Sequence, residues 1–209
     1  DQINIRLAYQ NFEESRISRN FEDSLRNTRK EKVDAYSFNI DALKKKSEKH
    51  EIYYGIEGIF NQVESRGESW NIASLERTSL QSRYPDSDWY SAAIYVSDKY
   101  NFSSKWILHT AARFNWYGLN SSFDTSLFSL PFNEASLNHS ALNGSIGLVH
   151  QASSNFTQSF NFSTGFRAPN VDDMGKIFDS EPSAIVVPNP DLEEEYAFNF
   201  DYKVEKRFA

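Results

Sequence analysis

The stretch GFRAPNVDDMGKIFDSEPSAIVVPNPDLEEEYAFNFDYKV (residues 165–204) decides the fold. At its far end Tyr196, Phe198, Phe200, Tyr202 and Val204 alternate with Asn199, Asp201 and Lys203, which is the period of a strand with one apolar and one polar face. Just upstream, Phe160, Phe162 and Phe166 alternate with Asn161, Ser163, Gly165 and Arg167. Pro169 ends this first strand because it has no N–H to give a neighbour, and Phe166 is expected as its last ring on the apolar face. Pro188 and Pro190 stiffen the return into extended geometry, and Leu192 with Glu193–Glu195 leads into the second strand. Two strands joined by a long connection need a sheet to belong to.

The same alternation recurs upstream. It sets Ile5, Leu7 and Tyr9 against Asn4, Arg6 and Gln10, and Tyr36, Phe38 and Ile40 against Ser37, Asn39 and Asp41. It continues through Ile52, Tyr54, Ile56 and Phe60, where Tyr53 and Ile59 blur the other face, and through Ala92, Ile94 and Val96. Leu108, Ala112, Phe114 and Trp116 then face away from His109, Arg113 and Asn115, and Ile146 and Leu148 away from Ser145 and Gly147. The total is about eight strands with no convincing helix between them. Short polar turns near Lys45–Lys49, Asn101–Lys105 and Ala152–Asn155 alternate with long connections at residues 17–29, 65–89, 119–138 and 168–195. Aromatic residues gather beside the short turns: Tyr53, Tyr54, Tyr100, Phe102, Trp106 and Phe156.

Alternating short turns and long loops, long strands and an aromatic girdle are the pattern of a transmembrane β-barrel. The expected class is all-β: antiparallel up-and-down strands of a transmembrane β-barrel, forming part of its wall. Periodicity alone equally fits a soluble extracellular β-sandwich that binds a ligand or glycan and turns the same aromatic face into a dry core.

Composition narrows the function. The chain of 209 residues carries a formal charge of −7, so it has no basic field to collect nucleic-acid phosphates. It has no cysteine, which removes disulfides, thiolate metal sites and cysteine nucleophiles. Tyr, Phe and Trp make up 15% of residues, yet mean hydropathy is −0.62, and no apolar run is long enough for a membrane-spanning helix. His50, His109, His139 and His150 are scattered without metal-ligand spacing, so neither a metal nor a cofactor is implied. Asp172–Asp173 and Glu193–Glu195 read as solvated loop carboxylates, and no catalytic set stands out. The missing constellation also argues against a β-structured hydrolase. Asn-x-Ser/Thr triplets at Asn143 and Asn161 fall in mid-strand on the polar face, where a glycan would not fit a closed barrel.

The pair Gly165-Phe-Arg-Ala-Pro169 and Asn189-Pro-Asp-Leu192 resembles the FRAP and NPNL boxes of TonB-dependent outer-membrane receptors. The resemblance is sharp over residues 160–205 and architectural elsewhere. It implies that residues 168–195 are an extracellular loop in the bacterial outer membrane. Residues 1–209 would then be a fragment of the receptor's β-barrel, with the plug domain outside this sequence. The resemblance further implies a non-enzymatic receptor and transporter for a small nutrient, such as an iron–siderophore, glycan or cobalamin. Its partners would be outer-membrane lipid, the plug and the energy-coupling TonB system. Haem receptors of this kind place a histidine between the two boxes, and residues 168–190 contain none.

The expected ligand contacts lie in the segment SRGESWNIASLERTSLQSRYPDSDWY (residues 65–90), which presents Trp70, Arg77, Arg83, Tyr84 and Trp89 on a polar background able to stack and hydrogen-bond. A solvated loop with a local aromatic cluster fits the same residues. Arg167 falls on the lumen side by parity, where it could meet a plug or substrate. An ion pair with a carboxylate of the neighbouring strand fits it as well.

Overall fold

The computed structural model describes residues 1–127, 132–175, 189 and 191–208. These form one antiparallel sheet of β1 (Gln2–Ser18), β2 (Leu25–Ser47), β3 (His50–Asn71), β4 (Arg77–Leu80), β5 (Asp86–Ser103), β6 (Trp106–Ser122), β7 (Glu134–Ser153), β8 (Phe156–Arg167) and β9 (Glu195–Lys206). A short helix, α1 (Val171–Gly175), follows β8. The spatial order is β1-β2-β3-β5-β6-β7-β8-β9, with β4 folded back on β3. Each main strand lies beside its sequence neighbour, β1 and β9 are the two edges, and the wall does not close on itself. This is the expected up-and-down partial barrel with one extra strand.

That strand, β4, and the upper ends of β2 and β3 occupy two segments expected to be loops. The connection between β1 and β2 spans only residues 19–24, and β3 continues to Asn71. At about 3.3 Å per residue, the 23 residues of β2 and 22 of β3 far exceed what a tilted strand needs to cross hydrocarbon. The surplus is sheet as well, because polar strand residues such as Asn27, Thr28, Lys30 and Lys32 pair their backbones across β1–β2–β3 instead of leaving them to water.

The short turns repeat one design. Each carries a bulge just before it, between Lys45 and Ser47, Asn101 and Ser103, and Gln151 and Ser153. Ser47 Oγ accepts from the Lys49 N–H and Ser103 Oγ from the Lys105 N–H, both at 3.2 Å. The last turn carbonyl then accepts from the next hairpin: Asn101 N–H donates to Lys49 O, Gln151 N–H to Lys105 O and Arg207 N–H to Asn155 O. Beside them three of the six expected girdle rings, Tyr100, Phe102 and Trp106, join His50 and His150 in a chain of ring contacts.

Register places the alternating apolar residues expected from the sequence on one face. Ile5, Ile40, Ile56, Ile94, Phe114 and Leu142 lie directly opposite one another across six strands, and Phe162 faces Ile146 and Phe200. This face is uncovered: Leu7 is 80% exposed and Phe198 71%. The other face carries the buried polar residues, Asp41 at 2% exposure among them. The pattern is the inverse of a soluble sandwich. Among the described residues no second sheet covers the apolar face, which overturns the sandwich alternative.

The small buried apolar core sits on the inner, polar side near the outer end: Leu119, Phe123, Ala135, Leu137 and Met174, with Trp89, Phe132, Val171 and Leu192 packed against it. Met174 and Val171 come from α1, a helix that alternation alone does not reveal.

Candidate functional site

The inner wall has two zones. In the lower one, polar side chains cross the sheet strand by strand. Arg6 Nη2 donates to Asp41 Oδ2 at 2.5 Å, and the Tyr95 hydroxyl donates to Asp41 Oδ1. Gly55 lies between Asp41 and Tyr95 in register. A Cβ at Gly55 would stand 2.5 Å from the Tyr95 hydroxyl oxygen, so only glycine lets the ring reach across β3. Glu57 accepts from Asn39 at 2.9 Å and from Arg113 at 2.5 Å, Arg113 also donates to Asn115, and Asn115 donates to Asn143 Oδ1 at 3.1 Å. The sequence leaves these residues opposite the membrane face, and their pairing satisfies groups that a lone strand could not. Asn143 and Asn161 both hydrogen-bond on this side, so their triplets belong to the inner wall.

In the upper zone the inward positions turn apolar: Val33, Val63, Trp89, Leu119 and Leu137. The segment after Pro169 folds back over them. Asn170 caps α1 by accepting from the N–H groups of Asp172 at 2.8 Å and Asp173 at 3.1 Å, while Asp173 Oδ2 accepts from Asn170 N–H at 3.0 Å, a reciprocal capping box. Arg167 clamps this helix with two bonds to Asp173, at 2.6 and 2.7 Å, and a third to Glu195 at 3.2 Å. Burial works to raise the Asp173 pKa, but the bonds from Arg167 and from the Asn170 backbone prevail and hold it below its ordinary value. The Met174 carbonyl then accepts from Asn189 N–H at 3.0 Å, tying the returning chain to the helix. Pro188 and Pro190 lie outside the described residues.

Between β2, β3, β5 and α1 lies a cavity of about 420 Å³ lined by Val33, Asn61, Val63, Tyr84, Trp89 and residues 170–172. The Tyr84 pKa is raised, first by burial and then by the hydrogen bond its hydroxyl shares with Asp172. The chain reaches this position because residues 81–85 bend inward beside β3. Arg83 and Tyr84 N–H both donate to Ser65 Oγ, and Arg29 Nε donates to the Gln81 carbonyl at 3.3 Å. A Cβ on Gly67 would come within 2.7 Å of that carbonyl, so the close approach requires glycine.

The six expected contact residues therefore separate. Tyr84 and Trp89 line the cavity, and Arg83 lies against the Tyr84 ring with its guanidinium 5.0 Å from the centroid. Trp70 and Arg77 do not join them. They stand opposite Arg26 on the β2–β3–β4 extension, where both guanidinium groups lie 5.4 Å from the Trp70 ring and Arg77 is bonded to Glu68. Trp70 shares parity with Phe60, so this group belongs to the outward face. Arg167 makes the cross-strand pair with Glu195 and also holds α1. Phe166 is half-buried and stacks on Tyr117 at 5.8 Å, and so differs from the expected last lipid-facing ring. The β7–β8 pairing stops at Ser145 and Ser163, which frees upper β8 to leave the plane of the wall.

Alternation arguments miss Val33, Asn61, Val63 and Val171. The signal for the two strand valines is an apolar residue at the inward parity beyond Tyr36 and Phe60, Val33 in β2 and Val63 in β3. For α1 the signal is Asn170 followed three residues on by Asp173.

The β-barrel profile described as TonB dependent receptor-like matches residues 1–208. No curated protein matches the chain. Among solved structures, the copper transporter OprC aligns with a TM-score of 0.81 at 9% identity, over 99% of this chain and 33% of that one. The ferric yersiniabactin uptake receptor FyuA from Yersinia pestis aligns with 0.68 at 13% identity, over 99% and 31%. The ferric citrate transporter FecA, in its unliganded form, aligns with 0.55 at 15% identity, over 78% and 24%. The chain thus spans a third or less of the length of these structures, and at such identities the likeness is one of fold. Sheet order, inverted burial and the profile agree: the chain belongs to the TonB-dependent receptor family of bacterial outer-membrane transporters, which are not enzymes, and forms β-barrel wall.

Proposed function

We propose that this wall is a contiguous part of a receptor that captures a small nutrient at the cell surface and passes it inward through the lumen. A plug domain and the TonB system would supply gating and energy. No covalent chemistry is asked of these residues. The wall pairs its own backbone, and its upper inner zone holds cargo by stacking and hydrogen bonding. The observation that carries the reading is the 420 Å³ cavity on the lumen face, with Tyr84 and Trp89 in its wall and α1 over it. Its volume falls within the range of small-molecule sites. The three similar structures are named for copper, ferric yersiniabactin and ferric citrate, so metal-bearing cargo is the first class to offer, followed by cobalamin and oligosaccharides.

The test is uptake by cells carrying the full-length receptor, with and without TonB. One cargo class should accumulate only when TonB is present, and Tyr84→Ala combined with Trp89→Ala should lower its uptake about tenfold, the equivalent of about 1.4 kcal/mol of lost contact. Accumulation that ignores TonB, or that the double variant leaves intact, would overturn the reading.

A further inference from the structure

We infer that the cavity between β3, β5 and α1 selects a flat group that is neutral or cationic and carries hydrogen-bond donors, in preference to a carboxylate. The inference rests on the proposed uptake function and names the chemical class of group recognised. Three valines, Val33, Val63 and Val171, give the cavity apolar walls, and the rings of Tyr84 and Trp89 give it flat ones. Such a lining favours a planar partner, and an aromatic face attracts a cation.

The polar groups set the sign. Among the described residues lining the cavity there is one carboxylate, Asp172, and no lysine or arginine. Asn61 Oδ1 is buried without a hydrogen-bond partner, an acceptor that a ligand N–H or O–H would satisfy. Asp172 accepts from the Tyr84 hydroxyl, so that hydroxyl is not offered to a ligand. Arg83 is held on the Tyr84 ring with its Nε buried and unpartnered, and it is not part of the lining. An entering carboxylate would lose its water shell opposite the Asp172 carboxylate and the Asn61 amide oxygen, with no cation among the described lining residues to replace that shell.

Ligand-observed NMR saturation transfer on the full-length receptor in detergent tests this with three probes of equal ring size: benzylammonium, benzyl alcohol and benzoate. Benzylammonium and benzyl alcohol should give signals at least fivefold stronger than benzoate. Trp89→Ala should abolish them and Trp89→Phe should retain them, so a folding defect in the first variant is separated from loss of the ring. Benzylammonium should exceed benzyl alcohol, Asp172→Asn should erase that difference, and Asn61→Leu should weaken both. Benzoate binding as strongly as benzylammonium, or signals indifferent to Trp89, would overturn the inference. The two readings fail separately. A receptor that imports a polycarboxylate through Tyr84 and Trp89 keeps its transport role and loses this selectivity. Probe selectivity in a receptor that moves no cargo would do the reverse.

Discussion

Gly55 and Asp173 show how single residues hold the inner wall. Gly55 is silent in the sequence, where it only interrupts an aromatic run, yet it is the gap through which Tyr95 reaches Asp41. Gly55→Val should displace the ring and leave the buried Asp41 with Arg6 and with the Tyr53 hydroxyl, which also bonds it. The expected cost is about 1–3 kcal/mol, as for other overpacked interiors, read as a lower unfolding midpoint in detergent. Gly144, whose Cβ would meet its nearest neighbour at 3.2 Å, is the control and should tolerate alanine better. Asp173 carries a pH prediction. Its folded pKa lies below the ordinary 3.8, so its contribution to α1 docking is fully present above pH 3.8 and lost as pH falls through the folded value. Protection of residues 170–174 against hydrogen exchange, relative to each amide's intrinsic rate at that pH, should stay high from neutral pH to about 4 and fall only below that. Asp173→Asn should make exchange fast throughout, and if its profile matched the unsubstituted chain the clamp would have no role.

Strands β8 and β9 carry the clearest division of faces. Phe162 and Phe200 are paired outward and Asn161 and Asp201 inward, so equal substitutions on neighbouring residues should differ in effect. Phe200→Lys is expected to cost about 2–4 kcal/mol, the range for a cation placed on the lipid face of a barrel. Asn199→Lys should stay within about 0.5 kcal/mol. Folding titrations into lipid vesicles measure both, and equal costs would mean that the apolar face does not meet lipid. These strand faces were legible because a period of two translates directly into side-chain direction. Strand ends were less legible. Polar segments such as residues 65–71 read as loop, but the backbone pairing offered by adjacent long strands made them sheet.

As a whole molecule the wall has two long edges, β1 and β9, each paired on one side only, and an uncovered apolar face. Both are aggregation hazards in water. The isolated 209-residue chain is therefore expected to show ordered β-structure by far-UV circular dichroism in mild detergent and to aggregate or lose it in plain buffer. A sharp monomer with full β-signal and no detergent would mean that the face at Phe160, Phe162, Phe198 and Phe200 is hidden in another way. What the sequence by itself determined was the strand succession, the choice of apolar face, the short-turn girdle and the two boxes that mark the outer loop. All of these are local, written within a few consecutive residues by alternation and by proline. What only the tertiary structure decided was the meeting of Val33, Val63, Tyr84, Trp89 and Val171 around one cavity, and the departure of Trp70, Arg77 and Arg167 from it. Residues so far apart in the chain come together only after strand register is set and α1 has folded inward, and both depend on contacts between segments that no single stretch of sequence contains.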